Sequence, residues 1–183
     1  METIQDARRE IITLSGIKLN ILVLILTIPL WFLVSGTYIW VFGLSNYYSG
    51  IRHVLDIKIF ILLFLGIPVH ELLHALTWMV LQKEGFKNIS FGFNWESFTP
   101  YTHYKEPMVM WKYRWGGAVP GMLMGLLPCI ISFVLKRPGL NFVGFLFIWA
   151  ALGDVISLWM TRKYGRMQFV KDHPDKVGVV IIE

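Results

Sequence analysis

Four long apolar stretches constrain this chain more than any other feature of its sequence. A helix needs about 20 predominantly apolar residues to cross the hydrocarbon core of a bilayer. The stretches that meet this requirement are Leu19–Phe42, Ile57–Leu81, Tyr113–Leu135 and Asn141–Met160. Because backbone polar groups in lipid must be paired within the segment, each stretch is predicted to be a transmembrane helix. The sequence therefore predicts an all-α membrane protein with four transmembrane helices.

The composition excludes the main alternatives to a membrane protein. Of the 183 residues, 55% are hydrophobic and only 16% are charged, which is too little charge for the surface of a soluble domain and the opposite of a disordered chain. The net charge of +5 is compatible with nucleic acid. In so apolar a chain we attribute it to loops that face anionic lipid, and we expect a bilayer and no nucleic acid as partner. The single cysteine, Cys129, excludes an internal disulfide framework.

The distribution of Lys and Arg predicts the orientation of the spans. Of the 17 Lys and Arg residues, most lie in the N-terminal tail, in the segment between spans two and three, and in the C-terminal tail. The other two connections hold Arg52, Lys58, Lys136 and Arg137. Since cytoplasmic loops carry the excess of Lys and Arg, both termini and the central segment are predicted to be cytoplasmic. We predict one membrane domain over residues 1–183, with an accessory span at 19–42, a core at 57–161 and a tail at 162–183.

Three further patterns concern packing and strands. The central segment has two short runs of alternating residues around Asn94–Phe98, which predict a β-hairpin that is either cytoplasmic or re-entrant. The C-terminal KVGVVIIE has the composition of a strand, which we expect either to pair with an edge of that hairpin or to fray. Gly117, Gly121 and Gly125 recur every four residues in the third span and predict close helix packing.

The second span contains the residues with the clearest chemistry. Its sequence VHELLHAL includes His70, Glu71 and His74. Residues i and i+4 share one face of a helix, so both imidazoles can reach one metal ion. Glu71 projects about 100° further around the helix, from where it can act as general base on a metal-bound water. This is the chemistry of a zinc hydrolase. The alternative is a polar cluster that bonds only to neighbouring helices.

A catalytic zinc site usually has three protein ligands, so a third must be found. A metzincin requires a histidine at position 80, but this residue is Val80. Asp154 is the candidate, because it lies thirteen residues into the fourth span, as His70 does into the second. At helical rise both lie roughly 20 Å along helices that run in the same direction. An Asp154 paired only with a polar group of another span is the alternative. The other acidic candidates are in the central segment: Glu84, Glu96 and Glu106.

These motifs together resemble a known group of proteins. The order of VHELLHAL, a β-like segment, a glycine-rich span and Gly153-Asp154 resembles the three-helix core of site-2 proteases, which are intramembrane zinc metalloproteases. The whole chain is more closely similar to small bacterial membrane proteins grouped as putative zincin peptidases. That similarity covers spans two to four, the PYTHYKEP segment and Asp172–Pro174.

The resemblance implies a function and a set of roles. It implies Zn²⁺ held by His70, His74 and Asp154, with Glu71 as general base, in a protein of the bacterial cell membrane. We predict an intramembrane peptidase that hydrolyses a peptide bond of a membrane-embedded or membrane-adjacent protein or peptide, alone or with a regulatory membrane partner. His103 is a candidate for stabilising the oxyanion or gating the site. The alternative function is non-catalytic zinc binding, by a transporter, a sensor or a pseudo-protease that binds membrane helices.

Overall fold

Helices account for most of the fold. The computed structural model describes residues 9–95, 99–173 and 177–182. Its helices are α1 (Gly16–Phe42), α2 (Leu44–Arg52), α3 (Ile57–Gln82), α4 (Met110–Leu135), α5 (Pro138–Ala150) and α6 (Leu152–Met160). Wider π-helical turns interrupt α1 at Phe32–Gly36 and α4 at Gly121–Leu126.

The candidate membrane spans agree with the prediction in three of four cases. Helices α1, α3 and α4 are each long and apolar enough to cross a bilayer, whereas α5 and α6 qualify only as a pair bent by 46°. The predicted fourth span is therefore broken at Ala151, where the backbone leaves helical geometry (φ −80°, ψ 2°). This break places Asp154 in the first turn of α6, where the positive end of the helix dipole favours a carboxylate.

The outer surface of the helices is apolar, as lipid contact requires. Leu24 on α1 is 72% exposed and Phe64 on α3 is 75% exposed, and many other large apolar side chains on these helices are exposed as well. A helix that is hydrophobic all round, yet lies at the surface, is typical of a membrane span. The length and apolarity of these helices are thus consistent with a membrane protein.

Strands form two small antiparallel sheets. They are β1 (Arg9–Leu14), β2 (Ile89–Asn94), β3 (Thr99–Tyr104), β4 (Met108–Val109), β5 (Phe169–Asp172) and β6 (Val177–Ile182). Strands β2 and β3 form the predicted hairpin, and the other four form a sheet in the order β1-β6-β5-β4. The hairpin is confirmed, whereas the prediction of an all-α protein missed the four-stranded sheet. Strand β1, strand β4 and the consecutive pair β5 and β6 are distant from one another in sequence, so no local pattern indicates how they come together.

The C-terminal strand pairs differently from the prediction. Strand β6 pairs with β1 on one side and β5 on the other, so the predicted pairing with the hairpin is wrong, and so is the fraying alternative for residues 177–182. The reason is burial, because Val179 and Ile181 alternate along β6 and both are buried in the core. The backbone of the tail strand thus pairs within the sheet, and its hydrophobic face is buried in a core to which α3, the hairpin and α4 also contribute.

All strands lie at one end of the helix bundle. Strand β1 precedes α1, the hairpin follows α3, β4 precedes α4, and β5 and β6 follow α6. The core at this end lies between α3, the hairpin, the start of α4 and the sheet, and consists of Ala75, Trp78, Ile89, Tyr104, Met108, Met110, Tyr113, Val170, Val179 and Ile181. The described chain therefore begins and ends on the same side of the bundle.

The glycine ladder packs α4 against α5 and α6. A Cβ atom on Gly125 would lie 2.5 Å from Cγ1 of Ile148, and one on Gly121 would lie 3.1 Å from the Ala151 side chain. Both distances are too short for ordinary packing, so the absence of side chains permits this approach. The predicted role of the ladder in helix packing is confirmed.

Candidate metal centre

The two histidines of α3 share one carboxylate oxygen from α6. His70 Nε2 lies 3.0 Å from Asp154 Oδ2, and His74 Nε2 lies 3.5 Å from the same atom. Both histidines are buried, with 8% and 5% of their surface exposed. The structure thus brings together the three residues proposed as ligands, across 84 residues of sequence.

This donor set fits a zinc ion. Two imidazole nitrogens and one carboxylate oxygen are a ligand set used in catalytic zinc sites. In a tetrahedral site with metal–ligand bonds of about 2.0–2.2 Å, two ligand atoms are about 3.4 Å apart. The separations of 3.0 and 3.5 Å are close to that value, so the position of Asp154 Oδ2 relative to each imidazole is compatible with a shared ion.

The orientation of His74 is set by α4. Its Nδ1 lies 2.8 Å from the carbonyl oxygen of Gly116. A carbonyl can only accept a hydrogen bond, so Nδ1 carries a proton and Nε2 is the ring nitrogen left to face Asp154 or a metal ion. A Cβ atom on Gly116 would lie 1.8 Å from Nε1 of Trp78, whose ring stacks on His74. Only glycine permits this approach, and the sequence analysis overlooked Gly116 although it directly precedes the glycine ladder.

Glu71 lies beside the histidines and is bonded to the hairpin. One of its carboxylate oxygens is within 4.8 Å of a ring nitrogen of His70 and of His74. Thr102 of β3 donates from Oγ1 to Glu71 Oε2 at 2.8 Å. Sequence analysis missed Thr102 as well, since nothing local distinguishes it from other threonines in a strand.

The other acidic candidates lie elsewhere. Glu84 bonds to Tyr104 Oη and Asn88 beyond the end of α3, and Glu106 is exposed in a loop. Neither belongs to a group of potential metal-binding side chains within the described ranges. Glu96 lies outside the described residues.

A cavity of about 440 Å³ connects the candidate centre to the strands. Glu71, His74 and Asp154 line it together with β3 and with the tail residues Asp172, His173, Val177 and Gly178. The cavity therefore lies between the hairpin and the C-terminal sheet.

His103 lines the same cavity but does not contact the histidine pair. Its Nδ1 lies 3.8 Å from Asp172 Oδ2, which is too long for a hydrogen bond. Burial lowers the pKa of His103, and the nearby Lys171 and Lys105 lower it further. The predicted role of His103 in oxyanion stabilisation or gating stays a prediction.

Asp172 joins the tail to the hairpin. Its Oδ2 accepts the backbone N–H of Tyr104 at 3.0 Å. Burial raises the pKa of this carboxyl from 3.8 to about 7, although the bond from Tyr104 opposes the change. Asp172 entered the sequence analysis only through the resemblance of Asp172–Pro174 to related proteins.

This raised pKa predicts a pH-dependent stability. Between pH about 4 and 7 the folded protein binds a proton at Asp172 more tightly than the unfolded chain, so stability falls as the pH rises through this window. We expect the melting temperature of the wild type to fall by several degrees relative to Asp172→Asn. The amide oxygen of this variant can still accept the Tyr104 N–H.

Melting curves in detergent from pH 4 to 8 measure this effect. Glu106→Gln, which removes an exposed carboxylate, serves as the control. The lowered pKa of His103 changes stability in the opposite direction, so a stability that falls as the pH rises is attributed to Asp172 and not to His103. Parallel curves for wild type and Asp172→Asn would contradict the expectation.

Buried His70 and His74, half-buried Glu71 and the adjacent Asp154 are the side-chain types from which zinc hydrolase centres are built. A family model described as "Putative zincin peptidase" matches residues 63–168, a range that includes His70, Glu71, His74 and Asp154. The match covers more than half of the chain, and the protein belongs to this family. No curated protein and no solved structure matches the chain. The resemblance to zincin peptidases is confirmed, and membership indicates a zinc metallopeptidase; similarity to site-2 proteases stays a prediction.

Proposed function

We propose that the protein is an intramembrane zinc peptidase, similar to site-2 proteases, in which His70, His74 and Asp154 hold the metal and Glu71 is the general base. The observation that carries this proposal is the approach of Asp154 Oδ2 to both imidazoles, at 3.0 and 3.5 Å. These residues lie on apolar helices long enough to span a bilayer, singly or as a bent pair. An unpaired carboxylate there would be costly, so a functional role is favoured.

Each residue of the candidate centre has a separate role in the proposed hydrolysis. When bound, zinc supplies a Lewis acid that acidifies water and polarises a carbonyl. Glu71 takes the proton of the attacking water and returns it to the leaving amine. His74 is kept in the required tautomer by the Gly116 carbonyl. The carboxylate of Glu71 is oriented by the hydroxyl of Thr102.

Strand β3 is suited to hold an extended substrate. A peptide bond in a helix is hidden by its own hydrogen bonds, so a membrane-embedded substrate must unwind before hydrolysis. Residues 99–103 of β3 line the cavity, and among the described residues the strand pairs only with β2, on one edge. An extended peptide can add to the other edge through main-chain hydrogen bonds. The substrate we propose is therefore an unwound segment of a membrane-embedded or membrane-adjacent protein.

The proposed location follows from the strands and the charges. All strands lie at one end of the bundle, and the tails and central segment at that end carry most of the Lys and Arg. We assign this end to the cytoplasm of a bacterial cell by the positive-inside rule. The bilayer is then a partner, and a regulatory membrane protein is an additional one.

Cleavage of a membrane-anchored fluorescent substrate in lipid nanodiscs tests the proposed function. We expect the wild type to cleave it, a zinc chelator such as 1,10-phenanthroline to lower the rate more than 100-fold, and added ZnCl₂ to restore it. A non-chelating phenanthroline isomer controls for effects on the membrane. Cleavage that persists in metal-free protein would contradict the proposal. A protein that binds zinc but cleaves no substrate of a panel would support the non-catalytic alternative.

A further inference from the structure

We infer that Thr102 is a positioning residue that holds both the carboxylate of Glu71 and the backbone of the substrate. The inference rests on the proposed peptidase function and adds to it a residue outside the His-Glu-His motif. It is carried by two independent observations on Thr102, which are the contacts of its side chain with Glu71 and the direction of its backbone groups.

The side-chain hydroxyl of Thr102 lies within hydrogen-bond distance of two oxygens of Glu71. Its Oγ1 lies 2.8 Å from Glu71 Oε2 and 2.9 Å from the backbone oxygen of Glu71. A hydroxyl has one proton to donate, and an ionised carboxylate is a stronger acceptor than a carbonyl. The carboxylate of Glu71 is thus held against the hairpin, and its rotation is restricted.

The backbone of Thr102 faces the open edge of β3. Lys105 donates its N–H to Asn88 on the β2 side, whereas Tyr104 donates its N–H away from β2, to Asp172. Alternate residues of a strand direct their backbone groups to opposite edges. Thr102 therefore has the direction of Tyr104, with its N–H and C=O away from β2, and within the described residues no hydrogen bond to either group is present.

Neighbouring residues on this edge of β3 have fewer backbone groups available to pair with an added strand. Pro100 has no N–H, and the N–H of Tyr104 is already bonded to Asp172. Within residues 99–104, Thr102 is thus the one residue that can give an added strand both a donor and an acceptor. A peptide that pairs here is aligned by the residue that also holds the base, so the position of the scissile bond and the direction of the carboxylate are set together.

A comparison of Thr102→Val with Thr102→Ser tests the inference. Valine keeps the shape and the backbone but lacks the hydroxyl. We expect kcat to fall about 10–100-fold, as for other residues that orient a catalytic group, with little change in KM or zinc content. Serine restores the donor and should recover most of kcat. Thr77→Val, which removes a threonine hydroxyl bonded to the Leu73 carbonyl of α3, is the matched control and should retain the wild-type rate.

Two further measurements keep the inference falsifiable. Thr102→Ala, which introduces no new methyl group, is the second variant if valine prevents folding, and the same loss of kcat is expected. The infrared carboxylate band that disappears in Glu71→Gln provides a readout without catalysis. We expect this band to shift in Thr102→Val and to remain in place in Thr102→Ser.

The outcomes separate this inference from the proposed function. An unshifted band, or a wild-type kcat in Thr102→Val and Thr102→Ala, would overturn the role of Thr102 even if the protein is a peptidase. If the wild type cleaves no substrate, the peptidase proposal fails, and the infrared band still decides whether Thr102 orients Glu71. A loss of zinc in Thr102→Val would show a structural role and overturn the inference.

Discussion

Glu71→Gln is expected to lower kcat by about 10²–10⁴-fold, the usual contribution of a general base. Glutamine keeps the shape of the side chain and an oxygen that can accept from Thr102, but it cannot take a proton from water. Because Glu71 is not one of the proposed ligands, zinc content and melting temperature should remain at the wild-type values. The rate of cleavage in nanodiscs and the zinc content measured on the same sample check this expectation.

Glu84→Gln is the matched control for this variant. Glu84 lies just beyond α3 and bonds to Tyr104 and Asn88, so its carboxylate lies away from the candidate centre. We expect this control to cleave at the wild-type rate. Should Glu71→Gln cleave as fast as the wild type, Glu71 is not the base and the proposed mechanism is wrong.

Asp154→Ala is expected to weaken zinc binding at least 100-fold and to abolish cleavage. The substitution removes the oxygen that both imidazoles approach, which leaves two protein ligands where a catalytic zinc site usually has three. Loss of a ligand should cost more than the 10–100-fold typical of residues that only support ligands. Competition with a chromophoric chelator measures the affinity.

Ser157→Ala is the control for Asp154→Ala, since Ser157 lies on the same helix and lines the same cavity but is not a proposed ligand. It should bind zinc as the wild type does. Wild-type zinc affinity in Asp154→Ala would exclude the aspartate as a ligand. The cluster of His70, Glu71 and His74 would then be the alternative ligand set, with Glu71 on the metal and no longer available as base.

The two variants together distinguish the proposed peptidase from a non-catalytic zinc protein. A transporter or sensor needs the ligands but no base, so it would be impaired by Asp154→Ala and unaffected by Glu71→Gln. A peptidase is inactivated by both, and only Asp154→Ala releases the metal.

Asp154 meets His70 for reasons that the sequence contains only in part. Equal distances along two spans predicted that Asp154 and His70 lie at one level, and the structure places Asp154 Oδ2 3.0 Å from His70 Nε2. The helix break at Ala151 was not predicted, because no proline marks it. Packing of α6 against α4 likewise determines which side of α6 faces α3. This packing depends on glycines that the sequence identifies only as small residues.

The hairpin could be predicted from the sequence, whereas the four-stranded sheet could not. Strands β2 and β3 adjoin in sequence, so alternation and a short connection were sufficient to predict them. Strand β1 pairs with β6 across nearly the whole chain, and no local signal describes such a contact. The contacts of Gly116 and Thr102 with the candidate centre were unpredictable for the same reason.

The amino-acid sequence alone determined the apolar spans and the His-Glu-His face, because both depend on length and on helical periodicity within one segment. The tertiary structure decided which oxygen meets the two imidazoles, which hydroxyl holds Glu71 and which strand edge lies open beside it. Those contacts join residues far apart in the chain, and they arise from the packing of glycine-rich helices and of distant strands. A one-dimensional pattern does not contain that packing.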